Sequence, residues 1–310
     1  FRSKKSSLED GGESPIWDKL VFDKIKAAMG GRVRLIISGS APLGAEVQEF
    51  LRVATGAVVV QGYGLTETCA ALTCQSRFDI NTQGHVGAPL LCNEVKLVDV
   101  PEMGYTSNSS PQRGEICVRG GNVFVGYYKA QDKTREVLTE SGWFHTGDIG
   151  QWNENGVLKI IDRKKNIFKL AQGEYVAAEY LETVLIKSKY VMQIFVYGDS
   201  LQEYLVAVVV PDMEVLAGWL KTQGIDESKV GTDPRVKKLI YDDLTATGVA
   251  SKFAGFQFIK NIIVEADPWT IDNGMLTPSM KIKRPQIKDR YKDAVMQLYK
   301  QPRMDLKAKL

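Results

Sequence analysis

Four short runs in this 310-residue chain concentrate glycine, hydroxyl and charged residues in orders that suit chemistry. Gly62-Tyr63-Gly64-Leu65-Thr66-Glu67-Thr68 follows an apolar stretch. Its glycines let backbone approach a ligand closely, and its hydroxyls and one carboxylate suit phosphate oxygens and a hard cation. The same run also fits a strand-to-helix turn with a threonine cap. Gly142-Trp143-Phe144-His145-Thr146-Gly147-Asp148 puts an acid on a glycine-flanked turn. A carboxylate so placed accepts two hydroxyls at once, as at a ribose, or closes an Asx-turn. Between Asp162 and Glu174, Arg163, Lys164, Lys165 and Lys169 surround Gly173, either as a solvated face or as phosphate ligands. Thr277 to Pro285 is a proline-bracketed loop carrying Lys281, Lys283 and Arg284. A lysine there is suited to neutralise charge that develops during phosphate chemistry. His85 and His145 read as packed or capping histidines. Cys69, Cys74, Cys92 and Cys117 lack the CxxC spacing of a zinc or redox site and read as reduced thiols.

The elements that must position these runs follow from apolar periodicity. A helix is expected from about Ser14 to Met29, ended by Gly30-Gly31, then a strand over Val33 to Ile37 broken at Ser38 to Pro42. Pro42 suits a helix start, Ala45 to Ala54 carries a helical pattern, and Ala57 to Gln61 reads as the next strand. Strand, helix and strand within thirty residues predict a βαβ unit with parallel pairing. Both glycine-containing breaks fall at carboxyl ends of strands, where open α/β sheets bind ligands. From about Gly84 to Asp162, glycine-punctuated apolar runs at 95–98, 115–118 and 157–161 predict an antiparallel β subdomain. The polar run 162–165 is the expected domain boundary. Beyond it come a helix near Ala178 to Lys187, strands over Gln193 to Tyr197 and Leu205 to Val210, and a helix-rich stretch to about Thr247. Tyr291, Val295 and Leu298 recur at helical spacing among lysines.

With 44% hydrophobic and 25% charged residues the chain has an ordinary globular composition, which excludes a disordered tail, a collagen-like rod and a disulfide-stapled mini-protein. Its length allows two domains. The unbroken apolar stretch Leu205 to Val210 is far too short to span a bilayer. Charge is unevenly spread: Lys281 to Leu310 holds ten Lys or Arg against three Asp, a local +7, in a chain of net +3. The basic segment favours an anionic partner, whether a phosphate-bearing cofactor, a membrane surface or nucleic acid, or forms a solvated amphipathic helix. The start, Phe1-Arg2-Ser3-Lys4-Lys5, is no signal peptide and reads as the beginning of a piece cut from something longer.

Taken together, Tyr63 to Thr68, the Thr146-Gly147-Asp148 run and Asp162 to Lys165 resemble the signature of the adenylate-forming enzymes. The stretch Gly142 to Glu179, with Phe168-Lys169-Leu170-Ala171-Gln172-Gly173-Glu174-Tyr175-Val176, is specifically similar to long-chain acyl-CoA synthetases. The resemblance implies an α/β fold holding the C-terminal half of such an enzyme. Residues 1–161 would be the end of the large AMP-binding domain, α/β to about 83 and β-rich over 84–161. Residues 162–310 would be a smaller, mobile α+β lid.

The chemistry so implied is attack of a long-chain carboxylate on ATP to give acyl-adenylate and pyrophosphate, then thioester formation with CoA. By position in the resembling motifs, Gly39, Ser40, Ala41 and Pro42 would flank adenine, with Gly62, Tyr63 and Gly64 beside them. Thr66 and Glu67 would meet phosphate and Mg²⁺, Asp148 would hold the ribose and Arg163 would be its basic partner. Lys165 would be the hinge, and the loop from Lys169 to Gly173 would face CoA. Lys281 would assist adenylation, with Lys283 as the possible substitute. The family's upstream phosphate loop and most of its fatty-acid tunnel are not in this sequence, so little activity is expected from these residues alone. An aryl or shorter-chain acid:CoA ligase and a non-catalytic nucleotide- or lipid-binding homologue are the alternatives. Peripheral membrane contact through the basic segment is an option, and no nucleic-acid partner is expected. Ala308-Lys309-Leu310 is similar to the peroxisomal address Ser-Lys-Leu, against a place on the cytosolic face of the endoplasmic reticulum.

Overall fold

The computed structural model describes residue 1 and residues 4–6, 15–77 and 84–304. Ser14 and the terminal Ala308-Lys309-Leu310 lie outside the described residues. The chain divides into two compact units, Phe1–Lys164 and Lys165–Leu310.

The first unit opens with helical turns over Pro15–Trp17 and Asp18–Phe22, the latter a π-type turn, leading into α1 (Asp23–Ala28). Gly30 and Gly31 end the run at φ +86° and +73°, which side chains rarely adopt. Strand β1 (Leu35–Ser38), helix α2 (Ala45–Thr55) and strand β2 (Val58–Tyr63) form the expected βαβ unit, with Leu35 opposite Val58 in parallel register. Helix α2 does not start at Pro42: Gly44 is its extended N-cap. The Leu43 amide instead donates to the side chain of Gln61 on β2 at 3.0 Å, which keeps 39–43 a connecting loop. Short strands β3 (Thr73–Cys74) and β4 (Ala88–Pro89) extend this sheet, β3 antiparallel to β2 and β4 antiparallel to β3.

The β-rich part is a four-stranded antiparallel sheet in chain order: β5 (Asn93–Val98), β6 (Arg113–Gly120), β7 (Phe144–Trp152) and β8 (Leu158–Arg163). Helix α3 (Gln131–Val137) lies between β6 and β7 in sequence. The two sheets share a core of Leu72, Val118 and Phe144, against which Tyr63, Leu65 and Phe124 pack. Burial of one such side chain is worth about 1.5–3 kcal/mol. The expected glycine-flanked turn at Gly142 to Asp148 is corrected here, since Phe144 begins a strand and Asp148 sits inside it. Its glycines punctuate a bulge: the β6/β7 register shifts between Glu115 and Cys117, and Gly147 takes φ +70°.

In the second unit, β9 (Ile167–Lys169) and β10 (Tyr175–Ala177) form a hairpin ahead of helix α4 (Ala178–Leu185). A three-stranded sheet follows, ordered β11 (Val191–Tyr197), β12 (Leu205–Pro211), β13 (Ile259–Val264), with β12 antiparallel to β11 and parallel to β13. Helices α5 (Met213–Gln223) and α6 (Pro234–Ala250) make the crossover, each capped by an aspartate side chain (Asp212, Asp233) accepting a backbone amide. Alternation across β12 explains its unbroken apolar run. Leu205, Ala207 and Val209 join one core with α4, α5 and α6 residues. Val206, Val208 and Val210 join a second core under helix α7 (Arg284–Tyr299), through Ile287, Tyr291, Val295 and Leu298. The basic C-terminal helix is therefore amphipathic, with its apolar face buried.

Candidate functional site

In the first unit the structure gathers Tyr63, Asp148 and Arg163. Register does this directly: on the β7/β8 ladder Asp148 stands opposite Arg163. The Tyr63 hydroxyl donates to Asp148 Oδ2 at 2.6 Å, and Arg163 Nε lies 3.5 Å from Oδ1. Asp148 is 5% exposed, whereas the Arg163 side chain is 44% exposed. Burial, then the Asp148 carboxylate, push the Tyr63 phenol well above its ordinary value, so it remains a donor. The Asp148 amide donates to Thr146 Oγ1 at 3.1 Å, and that hydroxyl donates to the Ile116 carbonyl at 2.8 Å. The bulge is thus tied down on both sides of Gly147.

Strand β2 ends in the Gly64 loop. A Cβ at Gly64 would stand 1.6 Å from the Ala70 carbonyl oxygen, so only glycine lets the chain double back there. The turn Thr66–Thr68 leaves Thr66 exposed and Glu67 half-buried. Thr68 is the internal cap, its hydroxyl accepting the Leu65 amide at 2.9 Å. Gly39 to Pro42 form an exposed loop after β1. A Cβ at Gly39 would be 3.6 Å from the Gly62 carbonyl, so the two glycine breaks are neighbours. Beside Glu67 opens a cleft of about 390 Å³ whose polar lining includes Glu115, Tyr127, His145, Thr146 and Lys164.

Several side chains of this site escape a linear reading. Gln48, Gln61 and Gln75, all buried, form one network. Gln61 Nε2 donates to Gln48 Oε1 at 2.9 Å, and Gln48 Nε2 donates to Gln75 Oε1 at 2.7 Å, which also accepts the Gln61 amide at 2.8 Å. The network joins α2, β2 and the segment after β3, and through Gln61 it holds the 39–43 loop. Glu115 accepts the Gly147 amide at 3.2 Å and faces His145 Nδ1 at 3.5 Å and Lys164 Nζ at 3.6 Å. Cys117 lies 3.3 Å from His145 Nδ1, but burial, then Glu115, push its thiol up to about 12, which makes it a poor nucleophile. His85 is a packed histidine whose Nδ1 accepts the Gly87 amide at 2.9 Å. All four cysteines are free.

The other singled-out residues belong to the second unit. Lys165 is its first residue, in the turn Lys164–Asn166. Lys169 and Gly173 share the β9/β10 hairpin, where Gly173 takes φ +103° and Lys169 Nζ lies 5.3 Å from the Tyr175 ring centre. Lys281 and Lys283, both half-buried, lie on a separate narrow loop closed by the Leu276–Ile282 bridge. The Lys281 amide donates to Thr277 Oγ1 at 3.0 Å and the Lys283 amide to the Met275 carbonyl at 2.8 Å. Nη1 of Arg284, next in chain, donates to both oxygens of Glu182 at 2.8 and 2.6 Å, and Glu182 Oε1 also accepts the Val196 amide at 2.7 Å. Burial raises Glu182 to about 7, against the opposing pull of Arg284. Among the described residues no cluster of three or more His, Cys, Asp or Glu is able to hold a metal ion, and no helix is long and apolar enough to cross a membrane.

Residues 12–128 match the AMP-binding enzyme family. The chain is 52% identical over 98% of its length to fatty acyl-CoA synthetase A of Dictyostelium discoideum, covering 46% of that protein. It is 51% identical over 97% of its length to long chain acyl-CoA synthetase 6, peroxisomal, of Arabidopsis thaliana, covering 44%. Its fold is that of adenylation domains: the A domain of carboxylic acid reductase from Segniliparus rugosus, solved with AMP and a co-purified carboxylic acid, superposes with a TM-score of 0.78 at 35% identity, covering 96% of this chain and 44% of that one. The chain spans about half the length of the relatives it matches. The chain is thus related, across nearly all of its residues, to the long-chain acyl-CoA synthetases among the adenylate-forming, AMP-binding enzymes.

Proposed function

We propose that the chain acts as part of an ATP-dependent, AMP-forming long-chain fatty acid:CoA ligase. The observation that carries this reading is the buried Asp148 carboxylate, faced by Arg163 and oriented by Tyr63, which is the residue next to Gly64. Adenylyl transfer needs positioning and charge stabilisation more than covalent help. Asp148 accepts the ribose hydroxyls, the exposed 39–42 loop flanks the base, and Thr66 with Glu67 meets phosphate and Mg²⁺. Magnesium keeps several waters and takes one or two carboxylates together with substrate phosphates, so the single acid at Glu67 fits its donor demand. Within the second unit, Lys281 supplies the cation for adenylation, Lys165 is the hinge, and the Lys169–Gly173 hairpin meets CoA.

The test uses the natural full-length protein with ATP, Mg²⁺ and CoA, following pyrophosphate and thioester with acetate, octanoate, palmitate, oleate and coumarate. Thioester chiefly from palmitate or oleate is expected. A preference for coumarate or acetate would replace the long-chain reading. Pyrophosphate without thioester would favour a second reading, adenylation for another acceptor, which the likeness to a carboxylic acid reductase domain keeps in play. Peroxisomal placement is the finer proposal, supported by the Arabidopsis relative named peroxisomal. Imaging the full-length protein with and without residues 308–310 tests it. Contact of the basic face of α7 with anionic membranes is also proposed, and vesicle sedimentation at low and high salt tests that.

A further inference from the structure

Glu67 does not stand alone in the first unit. The segment that follows β6 grips the turn carrying it at three points. Asn122 Nδ2 donates to the Thr68 and Ala71 carbonyls at 2.9 and 3.1 Å. The Phe124 amide donates to the Glu67 carbonyl at 2.8 Å. The Tyr127 hydroxyl donates to Glu67 Oε1 at 2.7 Å. Tyr127 is itself fixed: its amide donates to Thr134 Oγ1 at 2.9 Å, and its ring meets Phe124 edge-on with centroids 4.9 Å apart. Phe124 in turn packs edge-on against Phe144 of the core, centroids 5.4 Å apart. Both Glu67 and Tyr127 line the 390 Å³ cleft.

The geometry points to Tyr127 as a positioning residue that occupies Oε1 of Glu67 and leaves Oε2 as the oxygen that meets the magnesium ion of the nucleotide. This rests on the reading of Glu67 given above. A phenol suits the task because it donates without cancelling the charge of the carboxylate. A carboxylate with one oxygen already oriented has fewer arrangements to lose when it binds a cation. Partners that orient metal ligands are worth about 10–100-fold in metal affinity or activity.

The experiment compares wild type, Tyr127→Phe and Glu67→Gln in the full-length protein. Phenylalanine retains the ring contact with Phe124 and deletes only the hydroxyl. Two quantities are read: Mn²⁺ binding in the presence of ATP, by loss of the free-ion electron paramagnetic resonance signal, and the Mg²⁺ concentration that half-saturates pyrophosphate release. Tyr127→Phe is expected to weaken Mn²⁺ binding and raise the Mg²⁺ half-saturation by about tenfold, with kcat at saturating Mg²⁺ within about twofold of wild type. Unchanged metal dependence in Tyr127→Phe, or a fall in kcat alone, would overturn the assignment while Glu67→Gln is impaired. A Glu67→Gln protein that binds Mn²⁺ as tightly as wild type would instead overturn the reading of Glu67 itself.

Discussion

The Tyr63 hydroxyl and the Arg163 guanidinium reach the two oxygens of one buried carboxylate from different strands, and this pairing decides what Asp148 can do. An acid held in this way keeps its lone pairs aimed. Deleting one partner is expected to loosen it: Tyr63→Phe should lower kcat/KM for ATP about tenfold, the worth of a hydrogen bond to a charged group, with kcat/KM for the fatty acid changing in step only through the nucleotide. An unchanged KM for ATP in a folded variant would remove the pair from nucleotide binding. At this scale the residues that the sequence singles out are those whose type and glycine context suggest a chemistry, Glu67 and Asp148 above all. Gln48, Gln61 and Gln75 were not legible, because a buried amide network is defined by partners 13 to 27 residues apart and no local pattern marks it. Tyr127 was missed for the same reason, lying 60 residues from the carboxylate it orients.

At the scale of elements, glycine and buried charge carry the design. Gly64→Ala forces a Cβ onto the Ala70 carbonyl, and with backbone on both sides there is no side chain to give way. The variant should lose at least about 2 kcal/mol of stability and bind ATP poorly, which denaturant melts and nucleotide titration will show. In the second unit, the Glu182–Arg284 pair pins the first turn of α7 to β11 and α4 behind the lysine loop. Glu182→Ala takes the carboxylate from the half-buried Arg284 guanidinium, which keeps its bond to the Val196 carbonyl, and should cost about 3 kcal/mol, while Glu182→Leu combined with Arg284→Met should recover most of that. A double variant as unstable as the single would show that packing, not charge, sets the loss.

The tyrosines of the same unit set its alkaline limit. The Tyr291 hydroxyl donates to Glu265 Oε2, and burial, then that bond, push its phenol up to about 12; Tyr197 and Tyr299 are also raised by burial. A group whose folded value is raised stabilises fully below the unfolded value, here about 10, and loses that contribution as pH climbs through the folded one. The melting midpoint of the unit should therefore fall between about pH 10 and 12 together with the rise of tyrosinate absorbance. The βαβ unit and the antiparallel sheet were legible because their strands are short apolar runs between glycines. Strand β13 was not singled out, since the buried Asn261 interrupts the run Ile259–Val264. The start of β7 was misread as a turn because Gly142 precedes it and Gly147 lies within it, although within the strand only Gly147 takes the left-handed conformation.

For the whole molecule, the first unit leaves apolar surface uncovered. Among the described residues β1 is an edge of its sheet, and Leu35 and Ile37 on it are 54% and 66% exposed, with Ile16, Leu20 and Phe50 exposed on helical segments of the same unit. An apolar edge strand of this kind templates pairing with other chains. The 310-residue chain expressed by itself should self-associate and bind a hydrophobic dye; a monodisperse monomer that leaves the dye dark would contradict this. The proposed roles of the two units give a second expectation. Lys281→Ala should cut pyrophosphate release a hundredfold or more, as expected for loss of a group that stabilises developing charge, and spare thioester formation from preformed acyl-adenylate. Lys283→Ala should spare both steps; the reverse pattern would move the role to Lys283.

The central claim is that Asp148 and its partners hold ATP for attack by a long aliphatic carboxylate. Its most direct test is to incubate the full-length protein with palmitate, ATP and Mg²⁺ in the absence of CoA and to look for palmitoyl-AMP by mass spectrometry, beside an Asp148→Ala variant whose fold is checked by melting. The account predicts enzyme-bound palmitoyl-AMP in the wild type and its loss in the variant. Absence of the adenylate from the wild type, or its undiminished formation in Asp148→Ala, would contradict it.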